Sequence, residues 1–333
     1  MARVFVTRRL PGSALARLGA EHETEVWPDR LPPPRAELLE RTAGADGVIS
    51  LLTDAIDAEL IDHAPGLRAI SNYAVGTDNV DLAAAAARGI PVGHTPDVLT
   101  DATADLAFAL LLAAARRLPA AAQAVRDGNW VTWEPARHLG QSVHGATLGI
   151  VGLGRIGRAV AARARGFAME VLATGGGGGG GGGVSPGGGV GGGGVSPGGG
   201  VSSGVPLEEL LARSDFVSLH CPLTPATRHL IDARALGLMR PTAILVNTAR
   251  GAIVDQDALV AALEQGTIAG AALDVCDPEP AAPGDPVLAA PNLLLTPHLG
   301  SATAAARERM TELAVENLLA GLEGRPMPHQ VLR

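Results

Sequence analysis

The chain has 333 residues, enough for two domains with separate hydrophobic cores. Its content of 47% apolar and 18% charged residues fits a globular protein, and with aromatics at 2% the interior must be built from Ala, Leu, Val and Ile. A net charge of −8 argues against nucleic acid or an anionic membrane surface as partner.

In chain order, Arg3 to Thr7 is predicted as a first strand rather than a leader, followed by the helical pattern ALARLGA. Gly47 to Leu52 and Leu67 to Ser71 are predicted strands with helical patterns between them, so residues up to about Pro96 form a small α/β unit. The turns Leu51-Leu52-Thr53 and Asn72-Tyr73-Ala74-Val75-Gly76-Thr77 follow two of these strands, where ligands gather in open α/β sheets; they read equally as substrate contacts or as ordinary connections. From Asp97 to Leu118 a helix is predicted, capped by Thr100 or Asp101 and apolar nearly all round, hence buried. Its longest apolar run, Leu106 to Ala115, is too short to span a bilayer. Residues 119–145 carry two of the three tryptophans without a strong period, the composition of an interaction arm or of a surface flap.

Leu148 to Val151 is a strand leading into Gly152-Leu153-Gly154-Arg155-Ile156-Gly157, with a helical pattern from Arg158. A strand, this G-x-G-x-x-G turn and a helix make a dinucleotide phosphate site. Met169 to Thr174 is the next strand. Residues 175–204 are then almost entirely Gly, a composition that favours neither helix nor core and suits a flexible linker. Two readings are open there: a genuine insertion, or residues that do not represent the native chain. The second is favoured, because a tract that cannot pack occupies a place where packing is required. The intact mass of the protein distinguishes them.

Beyond it, PLEELLARSD, Leu236 to Arg240 and Asp257 to Glu264 are helical; FVSLHCPL, AILVNTARG, AGAALDVC and NLLLTPHLGS contain strands. Alternation of this kind predicts a doubly wound parallel sheet. Ala302 to Leu322 closes the chain as a helix. Cys221 and Cys276 form no disulfide framework and no metal pattern, which suits a reducing cytoplasm.

Three polar residues follow strand ends in this second unit. Arg250 is suited to fork onto a carboxylate, and His298 to move a proton near neutrality. Glu279, between Pro278 and Pro280, is suited to orient the imidazole and favour its charged form. Singly, each reads more readily as a surface ion pair, a structural His or a loop acid. Together with the nucleotide turn at one sheet edge, they read as a site.

With these motifs the sequence resembles the D-isomer-specific 2-hydroxyacid dehydrogenases, and within them the glyoxylate/hydroxypyruvate reductase branch. The resemblance rests on NYAVGTDNVDL, HTPDVLTDATADLAFALLLAAARR, GIVGLGRIGRAVA, DFVSLHCPLTPATRHLI, ILVNTARGAIVD, ALDVCDPEP and LTPHLGSAT. It implies a Rossmann-type NAD(P)-binding domain, 98–298, inserted into a smaller flavodoxin-like substrate domain made of 1–97 and 299–333. It also implies that Arg250 binds substrate, Glu279 orients the His and His298 is the acid/base. Asp274 would hold the nicotinamide carboxamide, and Thr174, Cys221, Pro222, Thr248, Ala249 and Gly300 would line the cofactor site with the Gly152–Gly157 turn. Leu52 and the Val75 and Gly76 amides would hold the substrate. The arm 119–145 would form a homodimer, with Trp133 reaching the partner subunit's site. The implied reaction is reduction of a small 2-oxo acid, glyoxylate or hydroxypyruvate, to the D-2-hydroxy acid, with no metal.

The sequence departs from the pattern at one place. Where NAD-specific domains carry an acid for the ribose, Ala173-Thr174 stands, which leans the cofactor to NADP(H) over NAD(H). Neighbouring readings are a short-form phosphoglycerate dehydrogenase, a nucleotide-sensing corepressor on the same fold, and an inactive relative that has lost cofactor affinity. Longer phosphoglycerate enzymes add a C-terminal domain, whereas here only the closing helix follows His298.

Overall fold

The computed structural model describes residues 1–175 and 200–331. The chain divides into two compact units, Met1–Leu99 with Ser301–Arg333, and Thr100–Gly300.

The first unit is a five-stranded parallel sheet. Its elements are β1 (Arg3–Val6), α1 (Ala14–Glu21), β2 (Glu23–Val26), α2 (Arg35–Ala43), β3 (Gly47–Leu51), α3 (Ala58–His63), β4 (Ala69–Tyr73), α4 (Leu82–Ala87) and β5 (Val92–Gly93). The strand order is β2-β1-β3-β4-β5, the flavodoxin-like order expected from the resemblance. Asp57 and Asp81 cap α3 and α4 by accepting the free N–H groups of their first turns. Phe5, Val48, Ile70, Leu60 and Ile61 fill one face of the sheet. On β3 and β4 packs the C-terminal helix Ala304–Leu322, capped by Thr303. The strand predicted over Leu67 to Ser71 sits two residues later. Two strands had no clear signal: β2 alternates exposed Glu23 and Glu25 with half-buried Thr24 and Val26, and β5 has only two residues.

The second unit holds a seven-stranded parallel sheet. It comprises α5 (Thr100–Ala115), α6 (Leu118–Arg126), β6 (Thr147–Val151), α7 (Arg155–Ala164), β7 (Glu170–Thr174), β8 (Val201–Ser203), α8 (Leu207–Arg213), β9 (Phe216–Leu219), α9 (Ala233–Leu238), β10 (Ile244–Asn247), α10 (Gln256–Glu264), β11 (Gly270–Leu273) and β12 (Leu293–Leu295). The order β12-β11-β10-β9-β6-β7-β8 reverses direction at β6, the doubly wound Rossmann arrangement. Its strands are apolar on both faces, as a sheet covered on both sides requires. One face carries Leu210, Leu245, Ile253 and Leu259; the other is filled by Phe108 and Leu111 of α5, Ile150, Val160 and Phe216.

Several boundaries differ from the expectation. Thr100 and Asp101 already lie inside α5, so neither is its cap. The arm, expected to lack a strong period, begins with the helix α6, whose Ala-rich sequence favours helix. Helix α7 starts at Arg155, not Arg158, because the tight turn is shorter than the hydrophobic pattern suggests. The Gly-rich reading of 175–204 is corrected at its end, where Val201–Ser203 pairs in parallel with β7. Its central part, 176–199, lies outside the described residues. Among the described residues no single helix is long and apolar enough to cross a membrane.

Candidate active site

The phosphate turn is built from close approaches that only glycine permits. Gly152 has φ +99°, and a Cβ there would lie 2.6 Å from the Cys221 nitrogen. A Cβ on Gly157 would lie 2.2 Å from the Gly152 oxygen, so the first turn of α7 can rest on the end of β6 only without one. Gly154 faces open space and caps α7 with no side-chain acceptor, which leaves first-turn N–H groups for an anion.

Two further features of the same sheet edge fit a dinucleotide. The Thr174 hydroxyl at the end of β7 and the Thr248 hydroxyl past β10 are both buried, and neither has a partner among the described residues. Buried hydroxyls are rarely left unpaired, so ligand polar atoms are natural partners for them. The residues after Gly175 that would complete a ribose site lie outside the described residues.

Past β9 comes His220-Cys221-Pro222. The His220 N–H donates to the Val151 oxygen at 2.8 Å, tying this turn to the end of β6. The His220 ring contacts the Ser218 hydroxyl at 2.8 Å, and desolvation pushes it down to about 4, so it is neutral at neutral pH. Burial pushes the Cys221 thiol up to about 11, so it too holds its proton. Both are therefore uncharged at neutral pH.

Past β10, the wholly buried Asn247 locks the next turn. Its amide donates to the Arg250 oxygen at 2.8 Å and accepts the Ala249 N–H at 3.0 Å. Arg250 also donates from Nη1 to the Ala249 oxygen at 2.9 Å. A side chain of this turn, Asn247, therefore fixes the backbone from which the guanidinium departs. Its signal in the sequence is slight: a lone Asn ending an apolar strand.

Past β11, Asp274 is 1% exposed and organises the turn that carries His298. Its carboxylate accepts from the Thr296 hydroxyl (2.6 Å), the Leu299 N–H (2.7 Å) and the Gly300 N–H (2.8 Å). Its backbone oxygen accepts the His298 N–H at 2.9 Å. These bonds hold His298 at φ +53°, a conformation that costs an L-residue about 1–3 kcal/mol. Three lone-pair directions of the Asp274 carboxylate are thus spent within the protein, leaving roughly one of four for a ligand. The expected contact with a carboxamide has that single position open.

The turn delivers the imidazole to Glu279. His298 Nδ1 lies 2.6 Å from Glu279 Oε1, with both side chains partly exposed. A carboxylate can only accept, so Nδ1 carries a hydrogen and Nε2 is left to face a reactant. Within the second unit the structure brings together the Gly152–Gly157 turn, Thr174, Cys221, Pro222, Thr248, Ala249, Arg250, Asp274, Glu279, His298 and Gly300 as residues past carboxyl strand ends of one sheet. Leu52, Val75 and Gly76 occupy the corresponding edge of the first unit's own sheet, past β3 and β4. Trp133 stands 80% exposed in the arm.

The family model of the D-isomer specific 2-hydroxyacid dehydrogenase NAD binding domain matches residues 108–176 and 199–300. The glyoxylate reductase of Korarchaeum cryptofilum is 48% identical over 330 residues, covering 99% of this chain and 95% of the relative. A crystal structure of a Thermus thermophilus protein superposes with a TM-score of 0.87 at 51% identity, over 99% of this chain and 100% of that one. The NADPH-dependent glyoxylate/hydroxypyruvate reductase of Sinorhizobium meliloti, solved with NADP and malonate, superposes at 0.82 with 34% identity, over 99% and 96%. With motifs, fold and nearly full-length relatives in agreement, the chain belongs to the D-isomer specific 2-hydroxyacid dehydrogenase family.

Proposed function

We propose that this oxidoreductase reduces a small 2-oxo acid, glyoxylate or hydroxypyruvate, with NAD(P)H. The observation that carries the reading is the 2.6 Å contact of His298 Nδ1 with Glu279, on the sheet edge that also holds the glycine turn and Arg250. When bound, the reduced nicotinamide supplies the hydride. Arg250 pairs with the substrate carboxylate and polarises the ketone, while the Val75 and Gly76 amides bind carboxylate oxygen. His298 Nε2 gives its proton to the carbonyl oxygen as C2 is reduced, and Glu279 holds the imidazole in place for that transfer. Steady-state oxidation of NAD(P)H with glyoxylate, hydroxypyruvate, pyruvate and 3-phosphohydroxypyruvate tests the reading. Turnover is expected to be fastest with one of the first two; preference for the phosphorylated acid would overturn the substrate assignment.

NADP(H) is the favoured cofactor, since β7 ends in Ala173-Thr174 without an acid to repel a 2′-phosphate. KM for NADPH is expected to lie below KM for NADH on one preparation; the opposite order would contradict this.

The arm supports a homodimer. Trp130, Val131, Trp133 and Leu139 are 68%, 88%, 80% and 65% exposed, and α6 buries no residue. So much apolar surface in one segment suits a partner, here a second copy with Trp133 entering its site. Light scattering is expected to give twice the chain mass; a monomer at assay concentration would contradict it. A reducing cytoplasm is the compartment this reading assigns.

A further inference from the structure

The Val75-Gly76 turn is backed by polar groups of the first unit that fix the direction of three successive peptides. The Ala74 oxygen accepts the Thr95 N–H at 2.8 Å. The Val75 oxygen lies 2.9 Å from His94 Nδ1, which must be the donor, since a carbonyl only accepts. The Gly76 oxygen accepts from the Asn72 side-chain amide at 3.0 Å. In a trans peptide the N–H points opposite to the C=O. Pinning these three oxygens therefore aims the N–H groups of Val75, Gly76 and Thr77 away from their holders. Among the described residues none of those N–H groups donates to a protein acceptor, and all three residues are partly exposed.

The holders are themselves held. Asn72, wholly buried, exchanges hydrogen bonds with Asn79: its Nδ2 donates to Asn79 Oδ1 at 3.0 Å, and Asn79 Nδ2 lies 3.2 Å from its Oδ1. Asn79 Nδ2 also donates to the Leu51 and Asp54 oxygens at 2.9 and 3.0 Å, which bracket Leu52. His94 has its N–H on the His329 oxygen and its C=O on the Asn317 amide, at 3.0 and 2.9 Å. Asn79 thus ties the turn after β3 to the turn after β4, and His94 braces the latter from β5.

We propose that Asn79 and His94 are positioning residues for the substrate carboxylate, presenting the Val75, Gly76 and Thr77 amides as a preformed anion site; this rests on the 2-oxo-acid reading above. Preformed amides bind an anion without first reorganising, so loosening either brace should weaken carboxylate binding and leave the cofactor alone.

The test uses oxalate, a non-reacting dicarboxylate, titrated calorimetrically into the full-length protein with cofactor present. Asn79→Asp turns the donor into an acceptor facing two carbonyls, and His94→Leu removes the other donor. His94→Asn places an amide N–H near the position of Nδ1. Oxalate Kd and glyoxylate KM are expected to rise about tenfold or more in Asn79→Asp and His94→Leu, and to recover in His94→Asn. Cofactor Kd should stay within about twofold in all three, because the braces touch only the first unit's turns. A residue that merely supports folding would lower the active fraction, and so kcat, without moving oxalate Kd. Unchanged oxalate Kd in both disruptive variants overturns the braces while wild-type turnover stands. Wild-type protein that binds oxalate, loses it in these variants, yet reduces no 2-oxo acid supports the anion site and overturns the reaction instead.

Discussion

Replacing His298 by alanine is expected to lower kcat/KM for glyoxylate by at least about 10²-fold, equal to about 2.7 kcal/mol of transition-state stabilisation. The variant loses the proton donor and the partner of Glu279, while Asp274 keeps its bonds to Thr296, Leu299 and Gly300. The turn therefore survives, and cofactor affinity should change little. Arg250→Ala is expected to cost at least as much, and Arg250→Lys should recover little of it, because an ammonium cannot reproduce the two-pronged grip on a carboxylate. Stopped-flow and steady-state rates on the three variants, and above all on the two alanine variants, check this. Near-normal turnover in both would remove them from the reaction.

Gly157→Ala is expected to be nearly as damaging by another route. The new methyl would sit 2.2 Å from the Gly152 oxygen, a backbone atom that cannot move without breaking the turn. Helix α7 must then tilt off β6, costing about 1–3 kcal/mol of stability as an overpacked contact. The first-turn N–H groups move with the helix, so Kd for the reduced cofactor should rise at least about 10²-fold. Gly154→Ala is the control, since its Cβ would meet nothing within 4 Å. It should leave the melting temperature unchanged and weaken cofactor binding alone, by intruding where a pyrophosphate must approach. Fluorescence titration and thermal melts together separate the two effects.

Much of this was legible in the sequence, for physical reasons that differ by element. Strands such as β6, β9 and β10 are buried on both faces, and their largely apolar runs announce them. Strand β2 lies at a sheet edge with Glu23 and Glu25 outward, so its pattern resembles a loop. Helix α6 is amphipathic but short, nine residues at the head of an arm with no further period, so it does not stand out. Arg250, Glu279 and His298 could be found because each follows a strand end, and their chemistry converges. The holding roles of the residues around them could not, even for Asp274, which the resemblance places in the cofactor site. Asp274 reaches Leu299 and Gly300 across 25 and 26 positions, and Asn247 acts on a turn that looks ordinary in sequence. Such partners depend on how the turns fold back over one sheet edge, which no local pattern encodes. Asn72, Asn79 and His94 are of the same kind, joining turns from three strand ends.

The arrangement also explains why so few groups suffice. His298 takes its tautomer from Glu279 and its backbone angle from Asp274, so one residue fixes the proton and another fixes its direction. His220 and Cys221, though close to the glycine turn, stay uncharged at neutral pH.

The most direct test follows the hydride itself. Reduced cofactor carrying deuterium at the transferable position of the nicotinamide ring is incubated with glyoxylate and the purified protein, and the glycolate is analysed by mass. One deuterium on C2 of glycolate per cofactor oxidised, with the rate falling at least about 10²-fold in His298→Ala, is the predicted result. Bound cofactor with no label in glycolate would contradict it, and would point to a nucleotide-sensing protein on the same fold.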